Sequence, residues 1–410
     1  MSDQNKLALD GGAPAVTAVN PPWIRWGDLE REQLSRMIEQ PSLFYWNGPQ
    51  TKLLTERFRE LYPLQHVMPC SSGTGALHAA VAAAGIGPGD EVIVPAITDM
   101  GTLIGILYQQ GVPVFADMVP DRYNLDPADV ARRITPRTKA IIAVHLAGNP
   151  CDLAALRKLA DDRGLVLIED CAQAWGAEYR GRQVGTLGHI GCWSLNDFKH
   201  VGCGDGGIVA TNDAHLGPLL QRFADKAYDR VTGARAVEVL APNYRISEPQ
   251  AAVAAAQLTR LPDIVQRRVR LSRMLSERLR KVPGILLRRE APEDLCSCWF
   301  YMFRIDPAHF TCDRDQVVKA LVAEGRACWT GYIDMPVYRY PLFQKANFFG
   351  GRWPVRELGL TTMDYTKVSL PATEAFCRTC IHFTLREHFC DAYIEQSAAA
   401  IAKVARHYAK

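Results

Sequence analysis

No stretch of this chain is apolar for long enough to cross a bilayer: its longest apolar runs, such as Ala79 to Ala84, fall far short of the roughly 20 residues a spanning helix needs. Lysine and arginine never cluster beyond three in a row and the net charge is only +3, so the footprint of a nucleic-acid binder is missing and a small-molecule partner is expected. The opening residues, MSDQNKLALDGGAP, hold no apolar signal core, which predicts a cytoplasmic protein. No strand–GxGxxG–helix unit stands near the N-terminus, which argues against a nicotinamide-dependent enzyme such as a nucleotide-sugar dehydrogenase. Internal repeats and low-complexity segments are also missing.

What is present is an ordinary globular composition. Apolar residues make up 48% and charged residues 22%, which excludes disordered and collagen-like chains. The 12 cysteines have no secretory context, and several stand inside apolar runs, as Cys192 does in IGCWS, so reduced, buried thiols are expected. Cys377, Cys380, His382, His388 and Cys390 could be drawn as a zinc site. The IHFTL between them alternates like a strand and a second CxxC is lacking, so core packing is the better reading and no metal is expected.

At 410 residues the chain suits a large domain and a smaller one. Between about residues 65 and 211, short apolar runs alternate with amphipathic helical stretches, the rhythm of an α/β fold with a mainly parallel sheet sandwiched by helices. The strand candidates are 91–95, 112–115, 139–144, 165–169, 190–194 and 207–211. Asp126-Pro127 and Asp152 mark helix starts, Gly164 marks a helix end, and EYRGRQVG reads as a hairpin turning at Gly181. After about Tyr244 the pattern changes to long helices mixed with strands such as CWFYMFRID. This predicts a large domain over 1–245, including an N-terminal segment, and a smaller α+β domain over 246–410.

Four local patterns could carry chemistry. Ser72-Gly73-Thr74-Gly75 opens a helix, and small residues there let free backbone N–H groups approach a phosphate, although Ser-Gly-Thr is also an ordinary helix entry. Glu169-Asp170-Cys171-Ala172-Gln173 follows an apolar strand. A carboxylate at that end faces the ligand crevice of an open α/β sheet and would stabilise a protonated pyridine nitrogen, unless Asp170 merely caps a helix. Ser194-Leu195-Asn196-Asp197-Phe198-Lys199 places a lysine after another apolar strand, where desolvation would lower its pKa and free the amine for imine chemistry; a solvated surface lysine is the bland alternative. Gly202-Cys203-Gly204-Asp205-Gly206-Gly207 precedes a strand, so it reads as a tight turn bringing backbone close to a ligand. His145, Cys151 and Asp152 stand in a loop that would approach substrate, unless Gly148 and Pro150 make it merely a turn.

Together SSGTGAL, IEDCAQAWGA, SLNDFKHVGCGDGG and NYRISEPQAAVAAAQL resemble the DegT/DnrJ/EryC1/StrS family of sugar and cyclitol aminotransferases, which use pyridoxal 5'-phosphate (PLP) on fold type I. The resemblance runs from about Leu7 to the end of the chain, with FYWNG at Gly48 and SLP at Ser369 to Pro371 as further matches. It implies Lys199 as the Schiff-base lysine, Asp170 as partner of the pyridine nitrogen and Gln173 near the phenolic oxygen. Ser194 and the backbone of Gly73, Thr74 and Gly75 would surround the phosphate, and Asn243 would reach it from the second subunit of a homodimer. In place of the family's ring-stacking aromatic this sequence has Asp99, which would touch substrate or ring substituents, and His200 replaces the usual asparagine after the lysine. The implied activity moves an amino group from glutamate or glutamine to a keto-sugar, keto-cyclitol or related cyclic ketone such as a precursor of aminohydroxybenzoate, in antibiotic biosynthesis. Two alternatives stand beside it. One is other PLP carbanion chemistry, although the family's dehydratases replace the lysine by histidine; the other is a catalytically silent PLP-binding regulator, which Asp99 keeps open.

Overall fold

The computed structural model describes residues 6–234 and 236–410; residues 1–5 of the N-terminal stretch lie outside the described residues. In chain order the strands begin with β1 (His66–Cys70), β2 (Glu91–Pro95), β3 (Val112–Ala116), β4 (Thr138–Val144) and β5 (Val166–Asp170). A hairpin of β6 (Glu178–Tyr179) and β7 (Arg182–Gln183) follows, then β8 (Ile190–Ser194) and β9 (Gly207–Thr211). The central sheet has seven strands in the order β1-β9-β8-β5-β4-β2-β3. Its pairs from β8 to β3 are parallel, and β9 alone runs against its neighbours.

Local sequence explains most of this. β2, β3, β8 and β9 are buried at every position, as strands covered on both faces must be. The Asp126 and Asp152 carboxylates accept from the N–H groups of Ala128 and Ala155, and Gly164 ends its helix at φ 63°. The hairpin turn has Arg180 at φ 50° and Gly181 at φ 74°, two left-handed residues in succession as a tight two-residue loop requires. β1, HVMPC, lies outside the strand candidates and holds Pro69. A proline lacks the ladder donor and is tolerated here because β1 sits at the sheet edge.

Under the sheet, Phe58 stacks on Tyr62 at 4.9 Å and meets Trp193 edge-on at 4.9 Å, with Trp175 also in the cluster. A second core lies around the antiparallel sheet of β10 (Ile285–Leu286), β11 (Phe300–Ile305) and β12 (Cys380–Thr384), covered by the helices Leu261–Leu279 and Asp391–His407. Leu7 and Val16 join this second core, whereas Tyr338, Phe343 and Tyr365 join the first, so each draws on both ends of the chain. Among the described residues no helix is long and apolar enough to cross a membrane.

Candidate active site

β8 ends at Ser194, and the chain passes through Lys199 before returning along β9. The Lys199 amine lies 3.7 Å from the centroid of the Trp299 ring. Its pKa falls from 10.5 to about 8, chiefly because burial disfavours the cation, while the carboxylates of Asp170 and Asp99 pull the other way. The loop is tied from outside: the Trp299 indole N–H donates to the Phe198 carbonyl at 2.7 Å, and the Arg25 guanidinium donates to the Lys199 carbonyl at 3.0 Å and to that of Asp197.

Asp170 is the last residue of β5, and turns rather than a helix follow it, so it caps none. Burial raises its pKa, opposed by the Thr102 hydroxyl donating to Oδ2 at 2.8 Å, the Ala172 N–H donating to Oδ1 at 3.1 Å and the nearby Lys199 cation. Thr102 stands on the helix Gly101–Tyr108 and also bonds the Thr98 hydroxyl.

Opposite, the helix Gly73–Ala83 points its N-terminus into the same space, capped by Ser72, whose Oγ accepts from the Gly75 N–H at 3.0 Å. A Cβ on Gly73 would lie 2.7 Å from that of Ser194, so only glycine lets the helix entry and the end of β8 touch. Gly73, Thr74, Asp99, Asp170, Ser194 and Lys199 thus line one cavity of about 260 Å³. The helix N-terminus suits an anion, the carboxylate a cation and the amine an electrophilic carbon.

Other candidate residues fall as follows. Gln173 lines the cavity and accepts from the Ala147 N–H at 2.8 Å, and the exposed Asp99 accepts from the Gly101 N–H at 2.8 Å. Gly75 is turned toward the Tyr244 ring. Asn243 is exposed, bonds Arg245 and does not line the cavity of its own chain. His200 faces away, its Nε2–H donating to the Ser297 carbonyl at 3.0 Å, and burial lowers its pKa to about 3. Gly207 approaches the Ser72 carbonyl so closely that a Cβ would sit 2.3 Å from it, which brings the glycine turn against the helix entry.

The loop expected to approach substrate does not. His145 and Cys151 are fully buried; His145 bonds Glu169 at 3.0 Å and accepts from the Cys151 N–H, while Asp152 is engaged as a helix cap. A buried carboxylate, Glu169, draws the loop inward, which Gly148 and Pro150 do not signal. Among the described residues, His145, Glu169 and Cys171 are the one acidic, histidine and cysteine group close enough to share an ion, so the C-terminal cysteines and histidines do not converge. Glu169 is instead engaged by the backbone of Gly185 and Leu187.

Four residues near the amine escaped the sequence reading: Thr102, Trp299, Arg25 and Tyr332. Burial raises the Tyr332 pKa, with further contributions from Asp99 and Asp170, which places its ring beside the cavity, stacked on Phe300 at 5.3 Å. All four come from distant segments without a motif of their own.

Residues 28–402 match the model of the DegT/DnrJ/EryC1/StrS aminotransferase family. The chain is 34% identical over 379 residues, 90% of its length and 89% of the relative's, to a putative L-glutamine:3-amino-2,3-dideoxy-scyllo-inosose aminotransferase of Micromonospora echinospora. It is also 34% identical to the L-glutamine:2-deoxy-scyllo-inosose aminotransferase of Streptomyces kanamyceticus, covering 84% of each. Among solved structures it resembles an aminotransferase from Psychrobacter cryohalolentis with a TM-score of 0.85 at 28% identity, over 95% of this chain and 100% of that one. With the parallel sheet, the small antiparallel sheet and the cavity between lysine and carboxylate in place, the chain belongs to the DegT/DnrJ/EryC1/StrS aminotransferase family.

Proposed function

We propose that this protein is a PLP-dependent aminotransferase that moves the amino group of L-glutamine, or of glutamate, onto the ketone of a cyclitol. The observation that carries the reading is the shared cavity: an amine whose pKa lies near 8 stands in the same space as a buried carboxylate and a helix N-terminus. The parts fit PLP. Lys199 would hold its carbonyl carbon, Asp170 its ring nitrogen, and Ser194 with the Gly73 and Thr74 backbone its phosphate. When bound, the cofactor supplies an electrophilic carbon and an electron-withdrawing ring for carbanion chemistry.

The chain's own residues then have distinct tasks. Asp170, desolvated and oriented by Thr102, holds a proton at the ring nitrogen by opposite charge, and a cation facing it offsets the burial that otherwise raises its pKa. Lys199, whose pKa near 8 leaves a useful fraction of its amine neutral at working pH, carries the proton from the donor's Cα and returns it in the second half of the reaction. Gln173, Tyr332 and Trp299 shape the space above, and Asp99 adds a carboxylate able to bond substrate hydroxyls. Asn243 of a second subunit would complete the phosphate site in a homodimer, a role supported by its exposure and its distance from its own chain's cavity.

The similarity to enzymes named for scyllo-inosose ketones supports a keto-cyclitol acceptor in antibiotic biosynthesis. Borohydride treatment of the PLP-loaded protein followed by peptide mapping should place the label on Lys199. L-glutamine with 2-deoxy-scyllo-inosose should then give aminated product faster than the same donor with a nucleotide-linked keto-sugar. Label elsewhere would end the assignment of Lys199, and preference for the sugar would end that of the cyclitol.

A further inference from the structure

Behind Trp299 the chain reads Cys296-Ser297-Cys298, and the two thiols face each other with their sulfurs 3.6 Å apart. Among the described residues no other pair of cysteines makes a sulfur–sulfur contact in hydrogen-bond range. Cys298 stands at φ 52°, a left-handed conformation rare for a residue with a side chain, which bends the backbone so that two cysteines only two positions apart turn to the same side. Arg288, fixed by a bond to Asn149 Oδ1 at 2.8 Å, brings a positive charge to the pair. Beside it opens a cavity of about 40 Å³ lined by Cys296, Cys298, Arg288, Ser272, Ser276 and Tyr301.

We infer that Cys296 and Cys298 form a dithiol site modified by hydrogen peroxide, closing reversibly to a disulfide. Geometry supplies the nucleophile and the resolving thiol together, since the sulfurs need approach only from 3.6 Å to the about 2.05 Å of a disulfide. Cys296 is the attacking partner: the Cys298 thiol donates toward its sulfur, and that bond with the Arg288 charge holds its pKa below the ordinary thiol value despite burial. The cavity selects the oxidant. It exceeds the roughly 10–15 Å³ a water needs, so a two-oxygen molecule fits beside the half-buried Cys296 and the buried Cys298, whereas a glutathione disulfide is far larger than the space.

In the first step the Cys296 thiolate attacks one peroxide oxygen, the O–O bond breaks and the departing hydroxide leaves as water after taking a proton. The Cys298 sulfur then displaces hydroxide from the Cys296 sulfenic acid; the S–S bond forms and a second water leaves with the Cys298 proton. Two thiols have lost two electrons and two protons, and one peroxide has become two waters. The site is wired to the amine's surroundings, because the Ser297 carbonyl between the thiols accepts from His200 at 3.0 Å and Cys298 is followed directly by Trp299, whose ring faces Lys199.

The test uses the cofactor-loaded protein, treated with peroxide, alkylated and mapped by mass spectrometry. The peptide holding both residues should lose two hydrogen atoms, take no alkyl group and return to the dithiol with dithiothreitol, whereas glutathione disulfide at the same concentration should leave it fully alkylatable. In Cys298→Ser, dimedone present while the peroxide-treated protein is unfolded should capture a sulfenic acid at Cys296. Both thiols remaining alkylatable after peroxide has oxidised the half-buried Cys203 or Cys390, glutathione attached to Cys296, or Cys296 bridged to any other cysteine would overturn the inference.

Discussion

Replacing Lys199 by methionine should stabilise the cofactor-free protein at neutral pH while abolishing its chemistry. Burial lowers the lysine's pKa from 10.5 to about 8, which corresponds to about 3 kcal/mol of unfavourable free energy for the cation in the folded state. The Trp299 ring, 3.7 Å beneath the ammonium, returns about 1 kcal/mol of it, leaving a net cost of about 2 kcal/mol. Methionine fills a similar volume without the charge. The sign follows from proton linkage. Below pH 8 the lysine is charged in both folded and unfolded chains and the full penalty applies; between 8 and 10.5 the unfolded chain binds the proton that the folded one has lost, so the wild type gains stability as pH rises and the advantage of methionine fades. Urea unfolding of both proteins at pH 7 and at pH 10.5 measures this directly. Equal or lower stability of the variant at pH 7, or an advantage unchanged at the higher pH, would refute the argument that the amine is held at a cost.

Lys199→Ala should lower turnover of L-glutamine by at least about 10²-fold, the smaller end of what a positioned proton carrier contributes, with stopped-flow absorbance of the cofactor as the measurement. Ser72→Ala removes the acceptor for the Gly75 N–H and should cost about 1 kcal/mol of stability, read by chemical denaturation; a weaker PLP affinity in equilibrium dialysis should accompany it because that helix entry faces the cavity. Phe58→Ala, at a fully buried ring packed on Tyr62 and Trp193, should cost about 3–5 kcal/mol, and a loss below about 1 kcal/mol would contradict the packing described. Gly48→Ala would drive a Cβ to 2.2 Å from the Glu248 carboxylate, which holds the N–H groups of Gln50 and Thr51; reduced stability in urea is expected, and a neutral result would show that the carboxylate yields easily.

The elements most legible in the sequence were those whose neighbours are local. Strand β8 was readable from its apolar run, and the Asp126 and Asp152 caps from residues a few positions apart, because the forces that make them act within a turn or a ladder. The same holds for Lys199 and Asp170, each placed at a strand end by the run before it. What escaped depends on long-range partners. Thr102 is ordinary until Asp170 stands beside it, Trp299 reads as a strand aromatic until Lys199 lies over its ring, and Arg25 has no meaning before the lysine loop folds against it. The loop around His145 misleads for the same reason: glycine and proline suggest a surface turn, and only the buried Glu169 carboxylate, drawn against that loop by the sheet, pulls it inside. The reversal of β9 is invisible to an apolar run that reads alike in either direction.

That reversal makes the lysine segment an arch with both feet on one sheet. The feet are joined low down, where Leu195 donates to the Gly206 carbonyl at 2.8 Å, and again higher, where Asp197 donates to that of Gly204 at 2.8 Å. An arch so footed keeps its two limbs in register, and a cut in the peptide at the crest, from Phe198 to Gly202, leaves each half fastened beside the other. The position of the reactive nitrogen is therefore set from two directions, by the footings below and by the ties of Trp299 and Arg25 at the crest.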